Sequence, residues 1–407
     1  MTEVVDYGAL PPFSLTGWAA ADVANPYPVY RRYREVAAVH RGTDGTHYLL
    51  GYYDVAKALS SRSFGRRAAA AGHPGTAGLV PDECVALRNM VENWLVFLDP
   101  PRHTELKSVL AGRFSPAVVA GLRQRIAEIA ASLLSRCVQE SEFDLVQAFS
   151  APLPILVISE LLGVPASDWK WLRDRVKAIQ SVSSSRRFTS GAEVFRLADV
   201  AAAELSDYFV SQAGERRRAP KDDLVSLMAS DGALSSNEIA SSCVHLMSAG
   251  HETTTNILGK AVLALGADRR VLSMLRASGS VPISAVEELV RFDGPVQSVT
   301  RWAYRDVCVA GRDIARGTRV VAVLGAANRD PARFPDPDVL RLDRGAGCGV
   351  GFGQGIHYCL GAALARVEIE IGLDLLLDIL GEFTVDKVEY PCDMVFHGPS
   401  SLVLCRG

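Results

Sequence analysis

Three alternating glycines running into a cysteine, Gly351-Phe352-Gly353-Gln354-Gly355-Ile356-His357-Tyr358-Cys359-Leu360-Gly361, constrain this chain more than any other stretch. Glycine takes positive φ without steric penalty, so the spacing predicts a bend able to lie close against a flat object. Beyond it Leu360, Ala363, Leu364 and Val367 recur at helical spacing, which places Cys359 at a helix N-terminus. Free N–H groups and the macrodipole there favour a thiolate over a thiol, and a thiolate can bind iron. A phosphate cradle does not fit, because G-x-G-x-x-G needs its third glycine where Ile356 or Tyr358 stands. A lone cysteine is more often a small buried apolar residue than a ligand.

A second unusual stretch lies upstream. Ser235 and Glu238 form a capping box, and the pattern predicts a helix from there to about Ala267, roughly 50 Å at about 1.5 Å per residue. Its middle, Ala249-Gly250-His251-Glu252-Thr253-Thr254-Thr255-Asn256, sets a glycine, an acid and three β-branched residues where Ala and Leu are stabler. A local rule broken inside an element points to function. Residues at four-residue steps before Thr253 share its face, namely Ala249 and His245, with Ser248 at the flank. The zinc pattern H-E-x-x-H fails, since Thr255 stands where its second histidine is needed. Thr254 and Thr255 are expected to back-bond to carbonyls one turn earlier.

The remaining chain reads mainly as helix. Asp99, as N-cap, and early prolines start a helix carrying His103 and Lys107 one turn apart. Two short strands flank Asp44-Gly45, with Asp54 capping the next helix. Residues 64 to 93 read as a loop, Val118 to about Leu227 as helices broken at Pro165, Gly191 and Gly214, and Ser181 to Ser190 as an exposed turn. Arg216-Arg217-Arg218 reads as a solvated loop. Glu288 and Arg291 pair at i,i+3 on another helix. Pro295 to Arg301 is extended, valines 307, 309, 320 and 321 continue a small antiparallel sheet, and Met394 to Pro399 forms a hairpin tip that brings Val395 to a pocket.

The cysteine run resembles the cytochrome P-450 signature F-G-x-G-x-H-x-C-x-G at every fixed position, and Ala249, Gly250, Glu252 and Thr253 match that family's A-G-x-[D/E]-T motif. The resemblance implies one triangular, mainly helical domain over residues 1–407 with small antiparallel β-sheets. It implies haem b, with Cys359 as proximal iron ligand within a cradle of Phe352, Gly353, His357 and Gly361. His103, Lys107 and Arg301 match positions that bind haem propionates, Lys107 standing where arginine is usual. Ala249 and Gly250 let the cofactor approach, while Glu252 and Thr253 match the catalytic proton relay. Gln297, just before Arg301, is expected to face substrate, together with His245, Ser248, Ala249 and Val395. Glu288 and Arg291 match the structural E-x-x-R pair. That pair's usual third partner is missing after Phe334-Pro335-Asp336-Pro337-Asp338, which leaves Arg341 or Arg344 to replace it.

The net charge of −3 gives no general pull toward nucleic acid or anionic membrane. The N-terminus carries no basic segment followed by an apolar run, and no stretch reaches the length of a membrane span. Eight irregularly spaced cysteines without C-x-x-C pairs fit a reduced, cytoplasmic protein, and a monomer is expected. The resemblance implies a soluble bacterial-type monooxygenase that activates O2 and hydroxylates a small organic molecule in secondary metabolism. Little chain follows Gly361, so its electrons are expected from a separate ferredoxin and ferredoxin reductase. Oxidative cyclisation or coupling of a natural-product intermediate is the rival reaction. A haem sensor without turnover is the rival from another class, and it needs no proton relay.

Overall fold

The computed structural model describes residues 10–72, 80–137, 139–182, 186, 190–345 and 349–406. Cys348, the centre of the expected 64–93 loop and most of Ser181 to Ser190 lie outside them. Helices dominate, and one helix organises the rest. It spans Ser236–Ala267 and starts as its sequence dictates, with Ser235 Oγ accepting from the Glu238 N–H at 3.3 Å and Glu238 Oε2 accepting from the Ser235 N–H at 3.0 Å. The helices Pro152–Leu161, Ala192–Arg218 and Ala362–Leu380 pack around it, burying Leu205, Phe209, Met247, Leu258 and Leu373 in one core.

Ten strands are described: β1 Val39–Arg41, β2 His47–Leu49, β3 Phe64–Gly65, β4 Glu142–Asp144, β5 Ser298–Ala303, β6 Val307–Val309, β7 Arg312–Ile314, β8 Arg319–Val323, β9 Phe383–Glu389 and β10 Ser401–Arg406. They form a five-stranded sheet in the order β1-β2-β8-β5-β3, a three-stranded sheet β4-β10-β9 and the β6-β7 hairpin. Every pairing is antiparallel except β2 with β8. An aromatic cluster of Phe13, Tyr30, Tyr33 and Tyr48 sits beneath the large sheet, on the N-terminal helix Tyr27–Val36.

Several local expectations are overruled by distant partners. Asp99 is no cap: the helix begins at Arg102 after Pro101, and the carboxylate accepts from the N–H groups of Arg66 and Arg67. Asp54 lies inside the first turn of helix Tyr52–Ser60, whose Tyr52 N–H is satisfied by Asp330 at 2.7 Å. Gly214 breaks nothing, since the helix runs through it to Arg218. Arg216 is not solvated; buried at that helix end, it pairs with Asp223 at 2.7 Å and donates to the Gly163 carbonyl at 3.0 Å. The 64–93 stretch contains the helix Val85–Glu92, which tucks Leu87 and Met90 inward and docks on Ala192–Arg218 through Leu87 N–H to Asp199 Oδ1, 2.9 Å.

Candidate active site

The cysteine turn is shaped by backbone need and by crowding. Gly353 and Gly355 hold φ of 74° and 70°, the left-handed region that glycine alone enters freely. Gly351 does not share that reason; a Cβ there would collide with Val290. The Cys359 N–H donates to the Phe352 carbonyl at 2.9 Å, and the helix begins at Ala362, three residues later than the glycine pattern suggested. Distance from the helix end matters to the sulfur. Burial pushes the thiol up, against the Gly361 N–H, Arg366 and Lys107, so the protein alone does not hold a thiolate there. A bound cation would, because coordination deprotonates a thiol outright. Cys359 keeps accessible surface and has no disulfide partner among the described residues. Phe352 carries the Arg366 guanidinium over its ring, 4.5 Å from the centroid.

Lys107, expected at a propionate, here holds the backbone of the cysteine turn. Its ammonium donates to the Ile356 carbonyl at 2.6 Å and the Tyr358 carbonyl at 3.0 Å, pinning the cysteine turn. A flexible ammonium satisfies two converging carbonyls on the turn it faces, where a planar guanidinium would need a flat acceptor pair.

Beside the turn lies a buried group of cations with too few anions. Arg301 is 4 % exposed; its guanidinium donates to the Thr300 carbonyl at 3.0 Å and has no carboxylate within ion-pair reach among the described residues. Arg66 donates to the same carbonyl and to that of Val96. Burial lowers Arg301 to about 10, and burial with Arg301 beside it lowers Arg66 to about 9. Both stay charged at neutral pH. Asp99 is the carboxylate facing them; burial would raise it, but His357, Tyr304 and the two N–H groups hold it well below the usual range. His103 and His357 lie ring to ring at 4.3 Å, and burial, His357 and Lys107 lower His103 to about 4. The His103 Nδ1 atom is buried without a partner among the described residues. A planar group bearing two carboxylates suits this charge-deficient cluster, and the two propionates of haem b are such carboxylates.

The middle of the central helix opens in the same way. Ala249 is exposed, and Gly250, Glu252 and Thr253 are half-buried, although the helix is otherwise largely buried. A Cβ at Gly250 would meet only Ile158 at 3.9 Å, so protein packing does not require glycine there. The Thr253 hydroxyl donates to the Ala249 carbonyl at 2.8 Å, which leaves its lone pairs to accept. Glu252 is ion-paired with Arg186; burial raises its carboxyl and Arg186 opposes the rise. The same Arg186 reaches Asp393 Oδ2 at 3.0 Å. Thr255 back-bonds to the His251 carbonyl as expected, at 2.8 Å, but Thr254 does not. Its hydroxyl points to Glu368 at 3.3 Å, a buried acid pushed up to about 8 by burial, against that one hydrogen bond.

Among the expected substrate contacts, His245 stacks on Trp94 with ring centroids 5.2 Å apart, and burial lowers it to about 4. Ser248 is engaged through its carbonyl by Gln180 at 3.2 Å. Gln297 is not available to a ligand. It is fully buried, its amide donating to the Gly294 carbonyl at 2.8 Å and to Tyr27 at 3.3 Å, because its side chain turns toward the N-terminal helix. Val395 and Phe396 are half-buried on a tip whose neighbours Met394 and His397 are 1 % exposed.

Glu288 and Arg291 form a buried bidentate pair at 2.6 and 2.8 Å. Arg344 supplies the third contact, Nε to Glu288 Oε1 at 3.2 Å, and Arg341 contributes only its N–H, at 2.9 Å. Arg291 also binds the Asn328 carbonyl, and Asn328 Oδ1 accepts from the Val350 N–H at 2.8 Å, which carries the order of the pair into the cysteine turn. Sequence reasoning missed Arg66, Asp99 as acceptor, Arg186, Asp393 and Glu368. Only Glu368 left a signal, an acid on the inward face of an apolar helix.

Comparison with known proteins agrees with this geometry. The cytochrome P-450 family profile matches residues 283–401. The polyketide biosynthesis cytochrome P-450 PksS of Bacillus subtilis is 32% identical, covering 93% of this chain and 95% of its own. The crystal structure of CalO2 superposes with a TM-score of 0.89 at 31% identity, over 98% of this chain and 99% of that one. CxnD, described as the enzyme for C–S bond formation in chuangxinmycin biosynthesis, superposes with a TM-score of 0.82 at 30% identity over 95% of each chain.

Proposed function

As a member of the cytochrome P-450 family this chain is a haem-b monooxygenase, and we propose that it hydroxylates a small secondary-metabolite scaffold. Haem held through the Cys359 sulfur would supply the oxidising chemistry, a thiolate ligand being one that favours O–O cleavage. Lys107 fixes the turn that presents that sulfur; Arg66, Arg301 and His103 would hold the propionates. A group of half-buried residues on the central helix handles protons. Glu252, raised by burial yet paired with Arg186, takes and gives a proton, and Thr253 accepts a hydrogen bond from a protonated oxygen group beside it.

The Thr253 hydroxyl carries the reading, since its proton is already committed to the Ala249 carbonyl and it therefore serves as an acceptor. Thr255 makes the same bond to the His251 carbonyl but is buried, whereas Thr253 keeps accessible surface from which to accept. Residues 1–407 act as one domain and one monomer in the cytoplasm, with electrons from a separate ferredoxin and its reductase. The half-buried Val395 and Phe396 favour an apolar substrate surface, and the printed name of PksS places that relative in polyketide biosynthesis. C–S bond formation by CxnD supports a second reading, oxidative coupling.

The test begins with the reduced, carbon-monoxide-bound absorption spectrum. A strongly red-shifted Soret band is expected, and a band typical of histidine-ligated haem would refute thiolate ligation. Turnover with a ferredoxin system then separates the reactions by product mass: hydroxylation adds one oxygen, and coupling loses two hydrogens.

A further inference from the structure

Lys260 is an unusual residue for the inside of a helix bundle: its side chain is fully buried. It lies seven residues after Thr253, two turns along the same face and roughly 10 Å away at about 1.5 Å per residue. Its ammonium has three donors, and each has an assigned acceptor. Nζ reaches Asp293 Oδ1 at 2.7 Å, the Gly294 carbonyl at 3.0 Å and His397 Nδ1 at 2.6 Å. The other ring nitrogen, His397 Nε2, lies 2.6 Å from the Val23 carbonyl. A carbonyl can only accept, so Nε2 carries the proton and Nδ1 offers its lone pair to Lys260. His397 is thereby fixed as one neutral tautomer, and burial and Lys260 lower it to about 4. Tyr390 stacks on its ring at 5.1 Å, and Tyr27 donates to the Asp293 carboxylate at 2.6 Å.

His397 belongs to the C-terminal tip, and the tip is held along its whole length. Asp393 Oδ1 accepts from the N–H groups of Val395 at 2.9 Å and Phe396 at 3.2 Å. The Gln297 N–H donates to the Val395 carbonyl at 2.9 Å, and the His397 N–H to that of Pro295 at 2.7 Å. Gly398 lies so close to Asn256 of the central helix that a Cβ would collide with its side chain, and a Cβ at Gly259 would meet Pro399 at 2.8 Å. Within 393–399 only Val395 and Phe396 keep accessible surface.

We propose that Lys260 and His397 are positioning residues that clamp this tip to the central helix just beyond Thr253, and so set where Val395 and Phe396 meet an apolar substrate. The inference rests on the monooxygenase reading only for its consequence in binding; the clamp itself does not depend on haem. A buried charge is a costly way to hold a loop unless its exact position matters, because an apolar replacement of similar volume is often as stable. What the charge adds is a directional junction between the central helix, the tip and the 293–294 segment.

The experiment compares wild type with His397→Leu, His397→Gln and Gly398→Ala, using imidazole and 4-phenylimidazole as spectroscopic probes of the haem-loaded protein. Imidazole, which lacks the phenyl ring, serves as the small reference ligand. We expect its dissociation constant to stay the same, while that of 4-phenylimidazole shifts by about tenfold in H397L, the scale on which pockets respond to a displaced methylene. H397Q should restore the wild-type ratio, because its amide can accept from Lys260 and donate to Val23. Should H397L fail to fold, G398A displaces the tip with every buried charge in place, and the same shift is expected. An unchanged ratio in these variants overturns the proposal. Amide hydrogen exchange at Gln297 and His397 reads the clamp without haem: faster exchange in H397L supports it and unchanged exchange refutes it. Absence of a thiolate-type carbon monoxide spectrum would sink the functional reading while leaving the exchange result to judge the clamp.

Discussion

Two residues of the central helix, Thr253 and Thr254, carry the same hydroxyl and face different chemistry. Thr253 donates to its own helix and presents lone pairs, so Thr253→Ala should leave haem binding intact and divert electrons from product to hydrogen peroxide. Peroxide assayed against electron donor consumed checks this, and unchanged coupling would remove Thr253 from the relay. Thr254 faces Glu368, which is protonated at neutral pH because burial raises it from 4.5 to about 8. A folded pKa above the unfolded one gives stability that is fully present below the unfolded value and declines as pH rises to the folded one. Stability should therefore fall between the ordinary glutamate range and about pH 8. Glu368→Gln, which mimics the protonated form, should flatten that decline, and urea unfolding at about pH 5 and about pH 8 would show the difference.

At the scale of elements, what the sequence made legible was local and what it hid was long-range. The Ser235 and Glu238 capping box could be read because both partners lie within one turn, and the E-x-x-R pair for the same reason. Asp99 and Asp54 looked like caps by the same logic, but Arg66, Arg67 and Asp330, far away in sequence, rearranged those helix starts. Helix Val85–Glu92 escaped because its helicity depends on docking to Asp199 and not on a long apolar period. The missing third partner of Glu288 illustrates both sides. Sequence narrowed the choice to Arg341 or Arg344, and only packing decides that the side chain of Arg344, 8% exposed, takes the carboxylate. Arg344 also donates to the carbonyls of Pro335, Asp336 and Val339. Arg344→Ala should thus loosen the whole 335–344 connection, lowering stability by about 2 kcal/mol, the range for leaving a buried charge partly unpaired. Chemical denaturation would measure the loss, and haem content should fall with it because Arg291 and Asn328 pass the order on to Val350.

Across the whole molecule, the arrangement of charge separates what the fold needs from what the cofactor needs. Glu288 with Arg291 and Arg216 with Asp223 are buried charges answered within the protein. Arg301 is not, and its neighbour Arg66 repels it. A residue that serves the fold is missed in every state, whereas one that serves a ligand costs stability until the ligand arrives. Arg301→Met should therefore act with opposite signs in the two forms. Without haem it removes a buried cation that Asp99 compensates only in part, and the chain should gain about 1 to 3 kcal/mol, as apolar replacements of buried ions commonly do. With haem it removes a propionate partner, so haem affinity should drop and with it the stabilisation that binding confers by mass action. Urea unfolding of the haem-free variant and haem transfer to an acceptor globin measure the two arms separately. If Arg301→Met weakens the haem-free chain as well, Arg301 belongs to the scaffold and the charge deficit beside Cys359 has another origin.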